Sequence, residues 1–244
     1  MRHYDYFGQF QQMPAEELRR KAEASVEQAR AKGRDYEPIF FQGRPRKICT
    51  TWWGDAWCRN LERYADYASR IDRGKRYVRS GAVVDLKISG GNIMAKVQGS
   101  RRTPYNVNIR IEALPEKKRK EIEEQAMGKI KDLSSLASGE FPKELKEMFF
   151  SSGGLFPTPE EIHFGCSCPD WAYMCKHVAA VMYGIGVRLD QNPFYFFLMR
   201  GLDVDKLIDK AIGNRIDSML AHVDVKSSRI MERVDLLEVF GVEQ

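Results

Sequence analysis

The sequence has few cysteines and no long apolar run, and these two features exclude disulfide-rich secreted proteins and proteins that span a membrane. Five cysteines among 244 residues are too few, and odd in number, for the disulfide framework of a small secreted protein. The longest apolar stretches, residues 178–187 and 194–199, fall short of the roughly 20 residues that span a bilayer. The first residues also lack the apolar segment of a secretory signal. These shortages predict a globular, cytoplasmic protein without membrane contact.

Catalytic motifs are also missing. The sequence contains no glycine-rich phosphate loop followed by Lys and Ser or Thr, no H-E-x-x-H and no G-x-S-x-G. Cys49 and Cys58 are possible nucleophiles, but no histidine can be tied to them by position. We interpret both as inert, buried thiols. We therefore expect no enzymatic activity.

Acidic residues are scarce in the middle of the chain. Residues 44–119 contain 18 lysines and arginines against 7 aspartates and glutamates, whereas residues 120–244 contain 14 against 20. The net charge of the whole chain is only +5, so the basic charge is concentrated. Such a segment is typical of a surface that binds a polyanion, although it can also be a solvated face that keeps the protein soluble. The distribution favours nucleic-acid contact.

Two short runs of cations lie inside this basic segment. The first run is interrupted by Gly74, so we expect a loop there rather than a continuing helix. We predict that both runs contact phosphates, which position a protein on nucleic acid but carry little sequence information. The candidate contacts are Arg73, Lys75, Arg76, Arg79, Arg101 and Arg102.

Hydrophobic spacing predicts two helices in the first third of the chain. Residues 14–32 repeat small apolar side chains at helical spacing and end at Gly33; we expect a loosely packed arm or a helix that awaits a partner. A second helix is predicted over residues 55–69. The adjacent Trp52, Trp53 and Trp57 are interpreted as core anchors.

Alternation of apolar and polar residues predicts a three-stranded antiparallel meander. A Gly-Gly hairpin turn joins the first two strands, and a longer connection with Pro104 joins the second and third. One face of the sheet should be apolar and the other polar and partly basic. The predicted strands are residues 82–88, 93–98 and 105–111.

The rest of the chain is predicted to be mainly helical outside one cysteine-rich segment. Residues 115–148 are charged, with a second helix expected over residues 141–150, and the C-terminal residues from 203 also have helical spacing. The aromatic segment 194–199 is interpreted as core packing rather than as an exposed docking surface.

Four residues with metal-binding side chains lie close together in the sequence: Cys166, Cys168, Cys175 and His177. Their spacing is C-x-C, six intervening residues, then C-x-H. Three thiolates and one imidazole are a typical ligand set for tetrahedral Zn²⁺. Because four protein ligands leave no position for water, we predict a structural zinc ion. His163 is a spare candidate ligand, which we interpret as an ordinary strand histidine.

We expect zinc binding and folding of this segment to be a single equilibrium, because so short a segment lacks a core of its own. The two halves of the site can converge if Cys175 and His177 lie at the beginning of the apolar helix that follows. Loss of one cysteine ligand should then release the zinc and unfold the residues beyond about 160.

The string from Cys166 to Trp171, followed by Cys175-Lys176-His177, closely resembles the SWIM zinc finger. Residues 51–57 and 97–101 also resemble segments of bacterial SWIM zinc finger family proteins. The resemblance implies a ββα zinc module proposed to bind DNA or protein. It also implies an association with Swi/Snf-type helicase-like ATPases, since such proteins are often encoded beside them.

The sequence thus predicts an α+β protein with N-terminal helices, a three-stranded antiparallel meander, a small ββα-type zinc module and C-terminal helices. We divide the chain near residue 153, where Ser and Gly residues precede two prolines. The predicted units are residues 1–44 (arm and linker), 45–153 (basic α+β domain), 154–200 (zinc module) and 201–244 (C-terminal helices).

Two functions remain open at this point. In the first, the protein binds nucleic acid, DNA more readily than RNA, through its basic middle segment. In the second, it is an adaptor whose zinc module and aromatic C-terminal surface dock onto a helicase-like ATPase. The acidic balance of residues 120–244 suits a protein partner better than phosphate.

Overall fold

The computed structural model describes residues 13–41, 47–62, 68–127, 147, 149, 154–203 and 206. In these residues, helices pack against one antiparallel sheet, which confirms the predicted α+β class. The helices are α1 (Ala15–Ala31), α2 (Trp52–Glu62), α3 (Ala68–Arg79), α4 (Glu116–Met127), α5 (Lys176–Gln191) and α6 (Tyr195–Met199). The strands are β1 (Val83–Ser89), β2 (Asn92–Val97), β3 (Tyr105–Ile111) and β4 (Ile162–Cys166).

The sheet has the order β1-β2-β3-β4, and neighbouring strands are antiparallel. The three predicted strands are confirmed within one or two residues at each end. The strand expected around His163 is present as β4, but its pairing with the meander was not predicted: β4 pairs with β3 so that Val107 lies opposite Cys166. The sheet therefore contains strands from both sides of residue 153. The predicted boundary itself lies outside the described residues and stays a prediction.

Helix α5 lies at the centre of the core. Its residues 177–187 are all buried, which fits an apolar helix covered on every side. It packs against α2, α3 and the sheet. The helix that follows the zinc-binding segment therefore shares its core with the rest of the described protein.

The expectation of a loop at the first run of cations is wrong, because α3 continues through Gly74 to Arg79. A Cβ atom at Gly74 would lie 2.6 Å from Cβ of Ala179 in α5. The glycine thus permits close contact between two helices, and that contact outweighs its low helix propensity.

Helix α1 confirms the predicted bounds, but the expectation of loose packing is wrong. Leu18, Ala22 and Ala29 are buried, and Ser25 donates a hydrogen bond to the side-chain oxygen of Gln98. The chain after α1 then follows β1, where the N–H of Ile39 donates to the carbonyl of Val83 over 3.0 Å. This segment covers an edge of the sheet that would otherwise expose unpaired backbone groups.

Trp53 and Trp57 are core anchors, as predicted, and Trp52 is partly buried against the same core. Trp53 and Trp57 are buried, and their indole N–H groups donate 2.8 Å hydrogen bonds to the carbonyls of Leu189 and Met182 in α5. In the predicted aromatic segment, Phe196, Phe197 and Met199 are buried, which confirms core packing. Helix α2 begins at Trp52, three residues earlier than predicted.

Several predicted features fall outside the described residues. These are most of the helix over residues 141–150, residues 63–67 of the second predicted helix, and nearly all of the predicted C-terminal helices after residue 203. Among the helices of the described part, none has the length and apolar character needed to cross a membrane.

Candidate metal centre and the cations beside it

The four predicted ligands come together where β4 and α5 meet. Cys166 ends β4, Cys168 follows in the next loop, and Cys175 is the N-terminal cap of α5, with His177 in its first turn. One donor atom from each residue lies within 4.8 Å of the other three. The two short sequence motifs thus converge on one point, as the spacing predicted.

The geometry and the chemistry of this cluster fit a zinc ion. The Nδ1 atom of His177 lies 3.8 Å from Sγ of Cys166 and 4.0 Å from Sγ of Cys175. Ligands with bonds of about 2.0–2.3 Å to a tetrahedral zinc ion are roughly 3.5–4 Å apart. The four residues are therefore positioned to bind zinc. They fill a four-coordinate shell, which is typical of structural rather than catalytic zinc.

The neighbouring ligands and the beginning of α5 favour the thiolate form of Cys175. A contact with Cys166 lowers the pKa of Cys175 to about 4, and contacts with His177 and the backbone N–H of Val178 contribute. The same pairing, together with burial, raises the pKa of Cys166. The N–H of Val178 donates to Sγ of Cys175 over 3.5 Å. The helix terminus thus supports a thiolate, the form that binds a metal.

Aromatic rings hold the imidazole of His177 in place. The ring of Tyr105 stacks on it with centroids 4.3 Å apart, and Tyr77 of α3 contacts it edge-on at 5.4 Å. His177 is 1% exposed, and this burial lowers its pKa. The neutral imidazole that zinc requires is therefore favoured. Nε2 is buried and has no hydrogen-bond partner within the described ranges.

The loop between Cys168 and Cys175 is fixed to α3 by an ion pair. The guanidinium of Arg70 donates two hydrogen bonds to the carboxylate of Asp170, at 2.9 and 3.3 Å. This pairing lowers the pKa of Asp170. The carboxylate also accepts a bond from the N–H of Ala172, so the loop has a defined turn.

A second set of bonds joins the loop to the sheet. The N–H of Ser167 donates to the carbonyl of Asn106 over 3.0 Å, and the N–H of Asn106 donates to the hydroxyl of Ser167 over 2.9 Å. The zinc-binding loop therefore lies between α3 and the beginning of β3.

Both runs of candidate nucleic-acid contacts lie close to residues that touch His177. The first run is on α3, which reaches the imidazole through Tyr77, and Arg101 lies over the ring of Tyr105 at 5.0 Å. Arg101 and Arg102 are exposed. Arg73 is partly exposed, and its Nε donates a 3.1 Å hydrogen bond to the carbonyl of Ser69 in the same helix. These positions are compatible with phosphate contact.

Two other candidates in the same runs, Lys75 and Arg76, already have partners within the protein. Lys75 pairs with Glu62 at 2.7 Å and lies over the ring of Tyr183, and Arg76 donates to the carbonyl of Met13 over 2.9 Å. Nε of Arg79 is buried and has no hydrogen-bond partner among the described residues. The assignment of all six cations to nucleic acid stays a prediction.

His163 takes the ordinary role expected of a strand histidine. It lies in β4 opposite Arg110, and its Nε2 is 2.8 Å from the carboxylate of Glu112.

The predicted burial of Cys49 and Cys58 is also confirmed, but their proximity was not predicted: their sulfurs are 3.3 Å apart.

Sequence reasoning missed the residues that support the zinc ligands. Tyr77, Tyr105 and Arg70 are far from the cysteines in sequence, and no local pattern marks them. Trp171, which is 81% exposed beside Arg70, was read only as part of the zinc motif. Its position between two pairs of ligands was the available signal for an exposed loop.

Comparisons with known proteins agree with this geometry. The model of the SWIM zinc finger matches residues 165–184, which contain all four ligands. The "Uncharacterized protein Rv2102" of Mycobacterium tuberculosis (strain ATCC 25618 / H37Rv) is 32% identical over 199 residues, which cover 81% of this chain and 72% of that protein. No solved structure matches the chain. From the four converging ligands, the matched finger and the extent of this similarity, we conclude that the chain belongs to the bacterial SWIM zinc finger family proteins.

Proposed function

We propose that this protein binds nucleic acid, DNA more readily than RNA, through cations beside a structural zinc site. The observation that carries the proposal is the placement of Arg73 on α3 and of Arg101 and Arg102 in the 99–104 loop. Helix α3 contacts the zinc ligand His177 through Tyr77, and Tyr105, the residue directly after the 99–104 loop, stacks on the same imidazole. Two runs of cations that are distant in sequence are thereby held near one centre, which favours a phosphate-binding surface.

The zinc ion has a supporting role in this proposal. It would hold the loop, the end of β4 and the beginning of α5 together, and so fix the elements that carry the cations. Because three thiolates and an imidazole complete its coordination, it offers no open position to a substrate. We therefore propose binding rather than catalysis. The cytoplasm suits five cysteines that form no disulfide, since it keeps cysteines reduced.

The salt dependence of DNA binding tests this proposal. The zinc-loaded protein is titrated into a labelled 20-base-pair duplex and a labelled single strand at about 50 and 200 mM salt. We expect the double variant Arg101→Gln/Arg102→Gln to bind more weakly and to reduce the slope of log K against log salt by about 2, since each phosphate contact contributes close to 1.

A charge-matched variant controls for net charge. Lys32→Gln/Arg34→Gln removes two exposed cations at the C-terminal end of α1 and should leave the slope nearly unchanged. Failure of the parent protein to retain DNA or RNA at about 50 mM salt would refute the proposal.

The adaptor function is a competing proposal with narrower support. Phe196 and Phe197 are buried, so they do not form the aromatic docking surface through which the adaptor was expected to bind its partner. The acidic balance of residues 120–244 is its remaining support. An adaptor should co-purify with a helicase-like ATPase from native extract after nuclease treatment, whereas a nucleic-acid binder should lose its companions.

A further inference from the structure

Trp171 is an exposed aromatic side chain in the zinc-binding loop. It is 81% exposed, whereas Trp53 and Trp57 are 5% and 2% exposed. Single exposed apolar residues are common, so exposure alone does not identify a binding site. The surroundings of Trp171 provide the further argument.

A guanidinium group is held over this exposed ring. The central carbon of the Arg70 guanidinium lies 5.6 Å from the centroid of the Trp171 ring, within the range of a cation–π interaction. Asp170 holds this guanidinium with two hydrogen bonds, and Arg70 itself is mostly buried. The position of the indole is therefore defined by an ion pair rather than left to solvent.

Other residues of the same loop extend this surface. Tyr173 is 57% exposed, and its hydroxyl donates a 2.9 Å hydrogen bond to the carbonyl of Ile162, which fixes the ring. Its ring lies 5.1 Å from that of Phe164. Lys176 follows at the beginning of α5. Ser167, just before the loop, is bonded to Asn106 of β3, the strand that follows the 99–104 connection with Arg101. The loop thus presents fixed aromatic rings beside cations.

We propose that Trp171 stacks on an unpaired base, and that single-stranded nucleic acid is the preferred ligand of this surface. This inference rests on the proposed function and adds the form of the ligand. Bases in a duplex are already stacked on each other, whereas bases in a single strand can stack on an aromatic side chain. A fixed indole beside phosphate-binding cations therefore favours the single strand, with little preference for base sequence.

The experiment measures affinity for a labelled 15-nucleotide oligothymidine and for a labelled 15-base-pair duplex at about 50 mM salt, with the zinc-loaded full chain. We expect tighter binding of the single strand. Trp171→Ala should weaken single-strand binding by about 10-fold, the loss that corresponds to one stacked base. It should change duplex binding by less than 2-fold, and Trp171→Phe should retain most of the affinity for the single strand.

Two controls separate stacking from structural damage. Phe40→Ala removes another exposed aromatic side chain, 67% exposed, from the segment beside β1 and should not alter affinity. Zinc content and circular dichroism should be the same in all variants, because Trp171 contributes little to the core. In addition, oligothymidine should quench part of the tryptophan fluorescence of the parent protein but not that of Trp171→Phe.

The outcomes distinguish this inference from the proposed function. Equal binding of duplex and single strand, or unchanged binding by Trp171→Ala, would refute the stacking role and leave nucleic-acid binding intact. Absence of binding to both ligands would refute both proposals.

Discussion

The ring of Tyr105 stacks on the imidazole of His177, with centroids 4.3 Å apart and planes inclined by 25°. A zinc-bound histidine is usually oriented by a hydrogen bond from its other ring nitrogen. In the described part of this protein, Nε2 of His177 is buried without such a partner. The orientation of this ligand therefore depends on packing, and changes in packing should alter zinc affinity.

Gly99→Ala tests this dependence without removing a ligand. The added Cβ would lie 2.7 Å from Cε2 of Tyr105, so that ring must shift, and 3.2 Å from Nε2 of His177, which is a tight contact with the imidazole. We expect zinc affinity to fall by about 10-fold or more, which is the usual effect of mutating a residue that orients a metal ligand. Competition with a chromophoric chelator measures the change.

Gly165→Ala is the matched control for Gly99→Ala. Gly165 precedes the ligand Cys166, but a Cβ there would meet no atom closer than 3.7 Å, the carbonyl oxygen of Asn108. Its zinc affinity should equal that of the parent. Equal affinities of all three proteins would show that packing against the imidazole does not control the metal.

Cys168→Ser should abolish stoichiometric zinc binding, because a hydroxyl is a poor replacement for a thiolate ligand. The burial of α5 in the common core changes the expected effect on folding. We expect destabilisation throughout the described core, rather than selective unfolding of the residues beyond about 160. Metal analysis and hydrogen exchange measure the two effects.

The control for Cys168→Ser is Cys58→Ala, which removes a thiol outside the metal cluster and should keep its zinc. If loss of zinc increases the rate of hydrogen exchange only in residues after 160, the result would instead support an independent zinc module.

Gly74→Ala tests the contact between α3 and α5. Alanine is the better helix former by about 1 kcal/mol, but its Cβ would lie 2.6 Å from Cβ of Ala179 and 3.1 Å from backbone atoms of α5. We expect overpacking to prevail and the free energy of unfolding to fall by about 1–3 kcal/mol. Urea denaturation measures it.

A second change should partly reverse this loss. Ala179→Gly removes the methyl group that the new side chain meets, so the double variant should be more stable than Gly74→Ala alone. A stabilising effect of Gly74→Ala would mean that the helices can separate at little cost.

Glu62 should make stability depend on pH. Burial alone would raise its pKa, but hydrogen bonds from Lys75 and Tyr183 lower it below 4.5 overall. A carboxylate with a lowered pKa stabilises the fold at pH values above its unfolded pKa, and this contribution is lost as the pH falls through the folded value. Glu62→Gln should therefore be less stable than the parent at pH 7, and the difference should shrink below about pH 4.5.

Urea denaturation of both proteins across this pH range measures the difference between their free energies of unfolding. Effects of acid that both proteins share, including zinc release, cancel in this difference. Glu124→Gln, an exposed substitution in α4, should match the parent at every pH. A difference between parent and Glu62→Gln that stays constant through pH 4 would contradict the role of the Glu62 carboxylate.

The sequence was most informative where function depends on local spacing. The four zinc ligands lie within 12 residues, so their convergence required only a turn and a helix start. The pairing of β4 with β3 was not predicted, because the two strands are far apart in sequence and no local pattern links them. Gly74 was misread because its contact with Ala179 is distant in sequence. For the same reason, no pattern linked Arg70 to Asp170, 100 residues away.

Strand β4 forms its backbone hydrogen bonds with β3. In this pairing Val107 lies opposite Cys166 at one end and Ile111 lies opposite Ile162 at the other. A peptide beginning at residue 154 would carry all four metal ligands and yet lack the strand that orients the first of them. Such a peptide would expose an unpaired edge and the apolar surface of α5, and self-association would compete with its refolding around zinc. In this protein the zinc finger contributes the last strand of a larger sheet, so its metal binding is best studied in the intact chain.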